Sequence, residues 1–279
     1  MSKTRRKTDM KKAFKLLAIL FGLTLVGSAL LGCAEGNGQG KTSGESKEKE
    51  DNTSLPGSTA APGSDKIIPL PAGRTGKAYW KGKTAAYLGD SITELGQYQI
   101  FLRRILELRR GYTFAVSGTQ LTGSDRAFTQ RAKDIDVDAD LIFVLGGTND
   151  FHVGAALGTP EDPPCESTFY GAVRSVCETL IYEHPDALIV FATPTRRTTP
   201  PGSGIPDLNS AGLSLKDYRD AIITVCAQYG IPVLDLYMNS RIREDTAAEY
   251  LMDGLHPNDV GFELLANEIA EYLCPGEIY

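Results

Sequence analysis

A serine, a histidine and an aspartate occur in settings that suit nucleophilic catalysis. Ser91 lies within Gly89–Thr93, directly after a short apolar run, and His256 follows Asp253 by three residues near the C-terminus. A serine hydroxyl is a poor nucleophile until a neighbouring base takes its proton, and histidine is the natural base near neutral pH. The residue types therefore predict Ser91 as a nucleophile and His256 as its base.

The carboxylate that would orient this histidine is not decided by spacing. Such a group accepts the proton of the second ring nitrogen and stabilises the imidazolium that forms during the reaction. Asp253 precedes His256 closely, but Asp90 and Asp150 also lie beside candidate site residues. On the residues alone, all three carboxylates stay open.

Two more polar blocks follow apolar runs, one around Gly118 and one around Asn149. Each block has an ordinary structural explanation when it is taken alone. Gly118 could supply a positive φ angle, and Asn149 could be a turn residue. Ser91 could be the N-cap of a helix, and His256 could cap the last helix. The joint occurrence of all four blocks at the ends of apolar runs favours a hydrolase site.

The elements that would position these blocks alternate between strands and helices. The predicted strands are Thr84–Leu88, Tyr112–Val116, Leu141–Leu145, Ala187–Ala192 and Ile231–Leu236. The predicted helices are Gln97–Arg109, Thr168–Glu183, Leu215–Tyr229 and Asp259–Leu273, the last with Asp259 as its N-cap. Strands that are apolar on both faces and separated by helices predict a parallel sheet covered on both sides. In such a sheet ligands bind beyond the carboxyl ends of the strands, which is where the polar blocks fall.

The four blocks resemble those of the SGNH/GDSL hydrolase family, in the family's order and across essentially the whole folded region. They are Gly89–Thr93, Ser117–Thr119, Gly146–Asp150 and Asp253–Asn258. The resemblance implies an α/β fold, a three-layer α/β/α sandwich with a five-stranded parallel sheet of flavodoxin-like type. It also implies an ester hydrolase that uses neither a cofactor nor a metal ion.

The resemblance further assigns roles to individual residues. Ser91, His256 and Asp253 would form the catalytic triad. The oxyanion hole would consist of the backbone N–H groups of Ser91 and Gly118 and the side chain of Asn149, since a tetrahedral intermediate needs preorganised donors. Many relatives carry an asparagine shortly before the second-block glycine, and this chain does not. The glycine itself is present, so the oxyanion assignment stands.

Other catalytic patterns are missing from the sequence. It has no G-x-S-x-G, which weighs against an ordinary α/β-hydrolase. It has no HExxH, no phosphate-binding glycine-rich loop and no zinc-type ligand spacing.

The N-terminus has the features of an export signal. Seven Lys and Arg residues within the first fifteen precede an apolar run that ends in Leu30-Leu31-Gly32-Cys33. This ending resembles a bacterial lipobox, which implies cleavage before Cys33 and lipid attachment to its thiol. We therefore expect a signal peptide at residues 1–32, a flexible tether at 33–65 and the hydrolase domain at 66–279, anchored to the outer face of the bacterial cell membrane. A plain N-terminal membrane anchor is the alternative.

Charge and cysteine content restrict the possible partners. Loss of residues 1–32 removes seven of 29 Lys and Arg and one of 35 Asp and Glu, which leaves 22 against 34 and a net charge of about −12. This charge argues against nucleic acid as a partner, because phosphate binding needs clustered cations. The four remaining cysteines, Cys165, Cys177, Cys226 and Cys274, show no disulfide-framework spacing, and we expect free, mostly buried thiols.

The substrate is less well determined. Export and family together favour removal of short acyl groups, acetyl above all, from extracellular or cell-wall carbohydrates. The alternatives are a lysophospholipase or thioesterase acting on longer acyl chains, and a glycan-binding lipoprotein without catalysis. Arg196 and Arg197, after the fourth predicted strand, could contact a carboxylate-bearing sugar, but the sequence favours a solvated pair. The natural substrate and the oligomeric state do not follow from the sequence.

Overall fold

The computed structural model describes residues 67–123, 125–198 and 208–278. In these residues one parallel sheet is formed by β1 (Thr84–Gly89), β2 (Arg110–Ala115), β3 (Leu141–Leu145), β4 (Leu188–Ala192) and β5 (Val233–Leu234). The strand order is β2-β1-β3-β4-β5, and every neighbouring pair is parallel. This is the flavodoxin-like order, so the predicted fold class is confirmed.

Several predictions concern residues outside the described part of the chain. The signal peptide at 1–32, the lipidated Cys33 and the tether at 33–65 all lie there. These predictions and the domain boundary at residue 66 therefore stay predictions. Within the described ranges, no helix is both long and apolar enough to cross a lipid bilayer.

Helices and short helical turns connect the strands. They are α1 (Lys77–Trp80), α2 (Ser91–Glu94), α3 (Gln97–Ile105), α4 (Phe128–Arg131), α5 (Thr148–Val153), α6 (Phe169–Glu183), α7 (Leu215–Gln228), α8 (Leu236–Asn239), α9 (Ala247–Tyr250) and α10 (Asp259–Leu273). A 3-10 turn at Ala132–Asp134 extends α4.

Four of the five strands are buried on both faces, whereas the edge strand β2 is partly exposed. Successive side chains of a strand point to opposite faces, so the fully buried run of β3 contributes to two separate cores. On one face Ile142 packs with Val176 of α6 and Ile222 of α7. On the other face Phe143 packs with Leu102 of α3 and Leu265 of α10. This double burial explains why the strands read as continuous apolar runs and not as alternating patterns.

Helix α3 is shorter than the predicted helix Gln97–Arg109. It ends at Ile105 and not at Arg109, because Glu107 adopts a positive φ angle of 51° that a helix does not allow. The backbone then turns back so that Arg109 donates its N–H to Lys83 O and β2 can begin beside β1.

The fifth strand is also shorter than the predicted Ile231–Leu236. Pro232 has no N–H to give to a sheet, and Asp235 already serves as the N-cap of α8, where its side chain accepts the N–H of Met238. Two residues, Val233–Leu234, remain paired with β4. The sheet therefore ends in a very short edge strand on the side from which the chain continues to His256.

The last helix has a different cap from the one predicted. Asn258 is its N-cap, with Oδ1 accepting the N–H of Gly261 at 2.9 Å, whereas Asp259 is the first helical residue. Both residue types suit an N-cap. Asn258 takes the position because its backbone is extended, with φ −80° and ψ −175°.

Candidate active site

Ser91 and His256 lie in hydrogen-bond contact at the carboxyl edge of the sheet. Ser91 Oγ is 2.9 Å from His256 Nε2, and His256 Nδ1 is 2.7 Å from Asp253 Oδ2. Both distances are normal for hydrogen bonds. Of the three carboxylates that spacing left open, Asp253 is the one that contacts the imidazole ring.

The Asp253 carboxylate is held by three donors. Its Oδ1 accepts the backbone N–H groups of Leu255 at 3.0 Å and of His256 at 2.7 Å, while Oδ2 contacts the ring. Partial burial acts to raise the pKa of Asp253, but these hydrogen bonds outweigh it and the pKa is lowered. The carboxylate is therefore ionised at neutral pH and suited to orienting the ring.

The segment from Leu251 to Pro257, here called the base loop, closes on itself. Leu251 and Pro257 form an isolated antiparallel bridge, and Met252 donates its N–H to His256 O at 2.8 Å. Gly254 has a φ angle of 82°, a conformation that residues with side chains rarely adopt. The base loop thus sets the position of the imidazole through its own backbone contacts.

The turn after β1 presents Ser91. Asp90 is the N-cap of α2, and its Oδ1 accepts the N–H of Ile92 at 3.1 Å. Ser91 is the first residue of the helix, so the alternative that Ser91 is the cap is wrong. A Cβ atom at Gly89 would lie 2.0 Å from Thr93 Oγ1, so α2 can approach the strand this closely only because residue 89 is glycine.

Gly118 lies in the exposed loop that follows β2, with a φ angle of 74°. Glu94 of α2 binds this loop, because its Oε2 accepts the N–H of Ser117 at 2.7 Å and also the Ser117 hydroxyl. These hydrogen bonds from Ser117 lower the pKa of Glu94. Among the described residues, no backbone oxygen accepts a hydrogen bond from the N–H of Ser91 or Gly118. Both groups are therefore available to a substrate oxygen.

Asn149 lies in the first turn of α5, half-buried. Its Nδ2 donates to Thr119 O at 3.0 Å and lies 3.5 Å from Asp90 Oδ2. The first contact is an ordinary hydrogen bond, whereas the second is beyond the usual range. One of the two amide hydrogens is therefore only weakly engaged and can be directed to a ligand.

Arg131 of α4 is a supporting residue that the sequence analysis missed. The guanidinium is buried, and Nη1 donates to Gly89 O at 3.0 Å and also to Phe114 O. Nη2 donates to Thr119 Oγ1 at 2.7 Å. Arg131 thereby joins the end of β1, the end of β2 and the Gly118 loop. No motif marks it, because its partners are mainly backbone oxygens.

Two buried carboxyl groups lie beneath the site. Asp150 accepts the N–H groups of Leu121 and Thr122, each at 3.0 Å, and the Thr122 hydroxyl at 2.8 Å. Burial raises the pKa of Asp150. Burial also raises the pKa of Asp90 to about 7, against the hydrogen bond from Ile92, with Asp150 adding to the rise.

The two arginines after β4 are both bound to the protein and do not form a solvated pair, contrary to the sequence prediction. Arg196 donates from Nε to Tyr237 O at 3.0 Å, and its guanidinium lies 4.9 Å from the Tyr237 ring centre. Arg197 donates from Nη1 to the Thr148 hydroxyl at 3.2 Å and to Thr148 O at 3.4 Å. Both arginines are half-buried.

Residues 67–123, 125–198 and 208–278 contain neither a metal-ligand cluster nor a disulfide. These ranges hold no group of three or more His, Cys, Asp or Glu side chains placed to bind a metal ion. Their four cysteines are free thiols, with Cys165 half-buried and Cys177, Cys226 and Cys274 buried. The expectation that these cysteines are mostly buried is therefore confirmed, whereas their redox state stays a prediction.

Comparison with protein families and known proteins agrees with this geometry. The model of the GDSL-like Lipase/Acylhydrolase family matches residues 87–264, which is more than half of the chain. A GDSL esterase/lipase of Oryza sativa subsp. japonica is 24% identical over 183 residues, which cover 64% of this chain and 69% of the rice protein.

Solved structures share the fold. A protein from Lactobacillus plantarum is 30% identical, with a TM-score of 0.65, and the match covers 69% of this chain and 97% of that one. A catalytic mutant of Axe2, an acetylxylan esterase from Geobacillus stearothermophilus, is 15% identical with a TM-score of 0.52. That match covers 74% of this chain and 99% of the other.

We predict that Asp90→Asn changes how stability depends on pH. An aspartate with a pKa of about 7 in the folded state and an ordinary pKa of 3.8 when exposed takes up a proton on folding between pH 4 and 7. Its contribution to stability therefore falls as pH rises through this window, by on the order of a few kcal/mol. The variant stays neutral, so its melting temperature relative to the wild type should rise from pH 4 to pH 8.

The variant Asp259→Asn, at an exposed position, is the control for the loss of one negative charge. Parallel melting curves of wild type and Asp90→Asn across this range would mean that Asp90 does not titrate there.

Proposed function

The chain belongs to the GDSL-like lipase/acylhydrolase family, and on that premise we propose that it is a serine esterase that removes short acyl groups, acetyl above all, from carbohydrates outside the cell. Membership makes it an ester hydrolase. The observation that carries the serine mechanism is the continuous hydrogen-bond chain from Ser91 Oγ through His256 to Asp253.

In the first half of the proposed reaction, Ser91 Oγ attacks the ester carbonyl carbon while His256 Nε2 takes its proton. The imidazolium that forms is stabilised by Asp253. The tetrahedral intermediate then collapses, the bond to the alcohol oxygen breaks, and His256 returns the proton to the leaving alcohol. The product of this half is an acyl group bound to Ser91 Oγ.

The negative oxygen of the intermediate needs donors that are already in place. We assign these to the N–H groups of Ser91 and Gly118 and to Nδ2 of Asn149. All three belong to segments held by other contacts: α2 by its Asp90 cap, the Gly118 loop by Glu94, and Asn149 by α5. Little rearrangement is therefore needed when the charge develops.

In the second half, water replaces the alcohol. His256 takes a proton from the water, whose oxygen attacks the acyl carbon, and the resulting tetrahedral intermediate expels Ser91 Oγ with return of the proton. The acid product leaves and Ser91 is restored. The complete reaction consumes one ester and one water molecule and gives one alcohol and one carboxylic acid.

Accessibility supports a carbohydrate substrate. Gly118 and Asp253 are exposed, and Ser91, Asn149 and His256 are half-buried, so the reacting groups lie on an open edge of the sheet. A bulky saccharide can approach such an edge with only its acyl group entering the site. The fold is also that of an acetylxylan esterase.

A lysophospholipase or thioesterase acting on longer acyl chains is the second candidate. Three exposed apolar side chains favour it: Leu95 directly after α2, Met252 beside Asp253, and Val153 at the end of α5. Such side chains could contact an acyl chain, although single exposed apolar residues are common on protein surfaces. A glycan-binding protein without catalysis is the least favoured candidate, because the residues of a complete triad are in contact.

We also propose that the enzyme is a lipoprotein on the outer face of the bacterial cell membrane. The support is the basic N-terminal segment, the apolar run and the Leu30–Cys33 sequence. Lipid on Cys33 would hold the protein at the membrane, since two or more acyl chains give stable anchoring.

We predict that Ser91→Ala abolishes ester hydrolysis and leaves the melting temperature nearly unchanged, because it removes only one half-buried hydroxyl oxygen. The measurement is hydrolysis of p-nitrophenyl esters of two to twelve acyl carbons by the full chain. Activity confined to two to four carbons supports deacetylation, and activity that rises toward twelve supports the second candidate. Ser175→Ala, in the middle of α6, is the control. Comparable turnover by Ser91→Ala and the wild type would exclude Ser91 as the nucleophile.

Asn149→Ala is expected to lower kcat by roughly two to three orders of magnitude with little change in KM, because the amide would act only on the oxyanion. Steady-state kinetics with p-nitrophenyl acetate measure both constants. Asn267→Ala, on the surface of α10, serves as the control. An effect on KM alone would remove Asn149 from the oxyanion hole.

Cys33→Ser is expected to release the protein from membrane fractions or to leave an uncleaved precursor. Fractionation of cells that express the full chain, together with the mass of the product, tests this. Normal processing and unchanged membrane association in the variant would refute lipidation.

A further inference from the structure

We propose that Arg197 forms a subsite for a carboxylate on the alcohol part of the substrate, so that the enzyme prefers acylated acidic sugars to neutral ones. This inference rests on the proposed esterase function and names its substrate class more closely. It starts from the position of one arginine whose hydrogen-bond donors the described residues use only in part.

Arg197 lies between the two halves of the candidate active site. Its Nη1 binds the hydroxyl and carbonyl oxygens of Thr148, the residue before Asn149. The next residue, Thr198, donates its N–H to Gly254 O at 2.8 Å, within the base loop. The arginine is therefore bordered on one side by the proposed oxyanion hole and on the other by the loop that carries His256.

The guanidinium has donors to spare. Nε of Arg197 is buried and has no hydrogen-bond partner, and its guanidinium carbon lies 5.8 Å from the Phe151 ring centre. No carboxylate of the described residues lies within ion-pair distance of it. Burial lowers the pKa of Arg197 while the charge of Asp253 raises it, and an arginine stays protonated in proteins. A partly desolvated, unpaired cation with free donors is completed by an anion.

Asp253 does not fill this role. Its Oδ1 accepts two backbone N–H groups and its Oδ2 contacts the His256 ring, so its oxygens are already committed within the base loop. The charge of Asp253 therefore acts on Arg197 electrostatically, although the two residues form no direct ion pair. A carboxylate from outside can pair with Nη2, which donates to no described residue, while Nη1 stays on Thr148.

The position also indicates which part of the substrate carries the anion. In the proposed reaction His256 gives its proton to the leaving alcohol, so the alcohol lies on the His256 side of the scissile bond. Arg197 is next in sequence to Thr198, whose N–H binds Gly254 O of the base loop, which places the arginine on that side. The carboxylate therefore belongs to the sugar and not to the acyl group, as in an O-acetylated uronic acid.

Arg196 offers a matched control next in sequence. Its guanidinium is already engaged by Tyr237 O and the Tyr237 ring. Replacing either arginine by glutamine changes the net charge of the protein by the same amount. Any difference between the two variants therefore reports local contact and not long-range attraction.

The experiment measures acetate release by the full chain from acetylated methyl glucuronoside and acetylated methyl glucoside. These probes share the acyl group and differ in one carboxylate. We expect the wild type to favour the acidic sugar in kcat/KM by about 10- to 100-fold, the range for a hydrogen bond to a charged group. Arg197→Gln should bring the ratio near one, Arg197→Lys should restore part of it, and Arg196→Gln should keep it.

Three results would overturn the inference. The first is equal use of both sugars by the wild type while p-nitrophenyl acetate is hydrolysed, which leaves the proposed function standing. The second is an equal loss of preference in Arg196→Gln and Arg197→Gln, which would assign it to overall charge. The third is no hydrolysis of any ester, which would remove the proposed function together with the subsite.

Discussion

The contact between Ser91 and His256 joins residues that lie 165 positions apart in the chain. Ser91 directly follows the first strand of the sheet, whereas His256 lies after the fifth strand in the chain. The order of strands brings them together: β1 lies inside the sheet, and β3 to β5 extend from it on one side. Because all strands are parallel, each leaves its polar residues on the same edge. The site therefore depends on the complete sheet and on no local motif alone.

Buried charge stabilises the part of the site around Ser91. Arg131 binds carbonyl oxygens at the ends of β1 and β2, and the carboxyl groups of Asp90 and Asp150 accept backbone N–H groups from the neighbouring turns. Each of these groups would be unfavourable inside the protein without its partners. Together they hold the loops in one arrangement, which is what preorganised hydrogen-bond donors require. Burial lowers the pKa of Arg131 to about 10 and raises that of Asp90 to about 7.

Sequence pattern predicted the parts of the structure in which residue type follows directly from burial. The run Leu141–Leu145 could be assigned to a central strand because both of its faces are covered. Ser91 and His256 could be named because few residue types can do the chemistry expected of them, whereas Asp253 was chosen over Asp90 and Asp150 only through the family resemblance. The end of the third helix could not be placed, since nothing in its composition requires the positive φ angle of Glu107. The role of Arg131 could not be predicted for another reason. Its partners are mainly backbone oxygens distant in sequence, and these leave no pattern of side chains.

The base loop differs from the rest of the site in what supports it. Ser91 follows a six-residue strand in the middle of the sheet, whereas the base loop follows a two-residue edge strand and is closed mainly by its own Leu251–Pro257 bridge. Regions joined to the sheet by few hydrogen bonds can open without global unfolding. Heating should therefore free the imidazole while the sheet is still intact, so that inactivation begins reversibly below the melting temperature. Hydrogen exchange at the backbone amides of this loop would then be faster than in β1, and the working temperature of the enzyme would be set by seven residues and not by the stability of the fold.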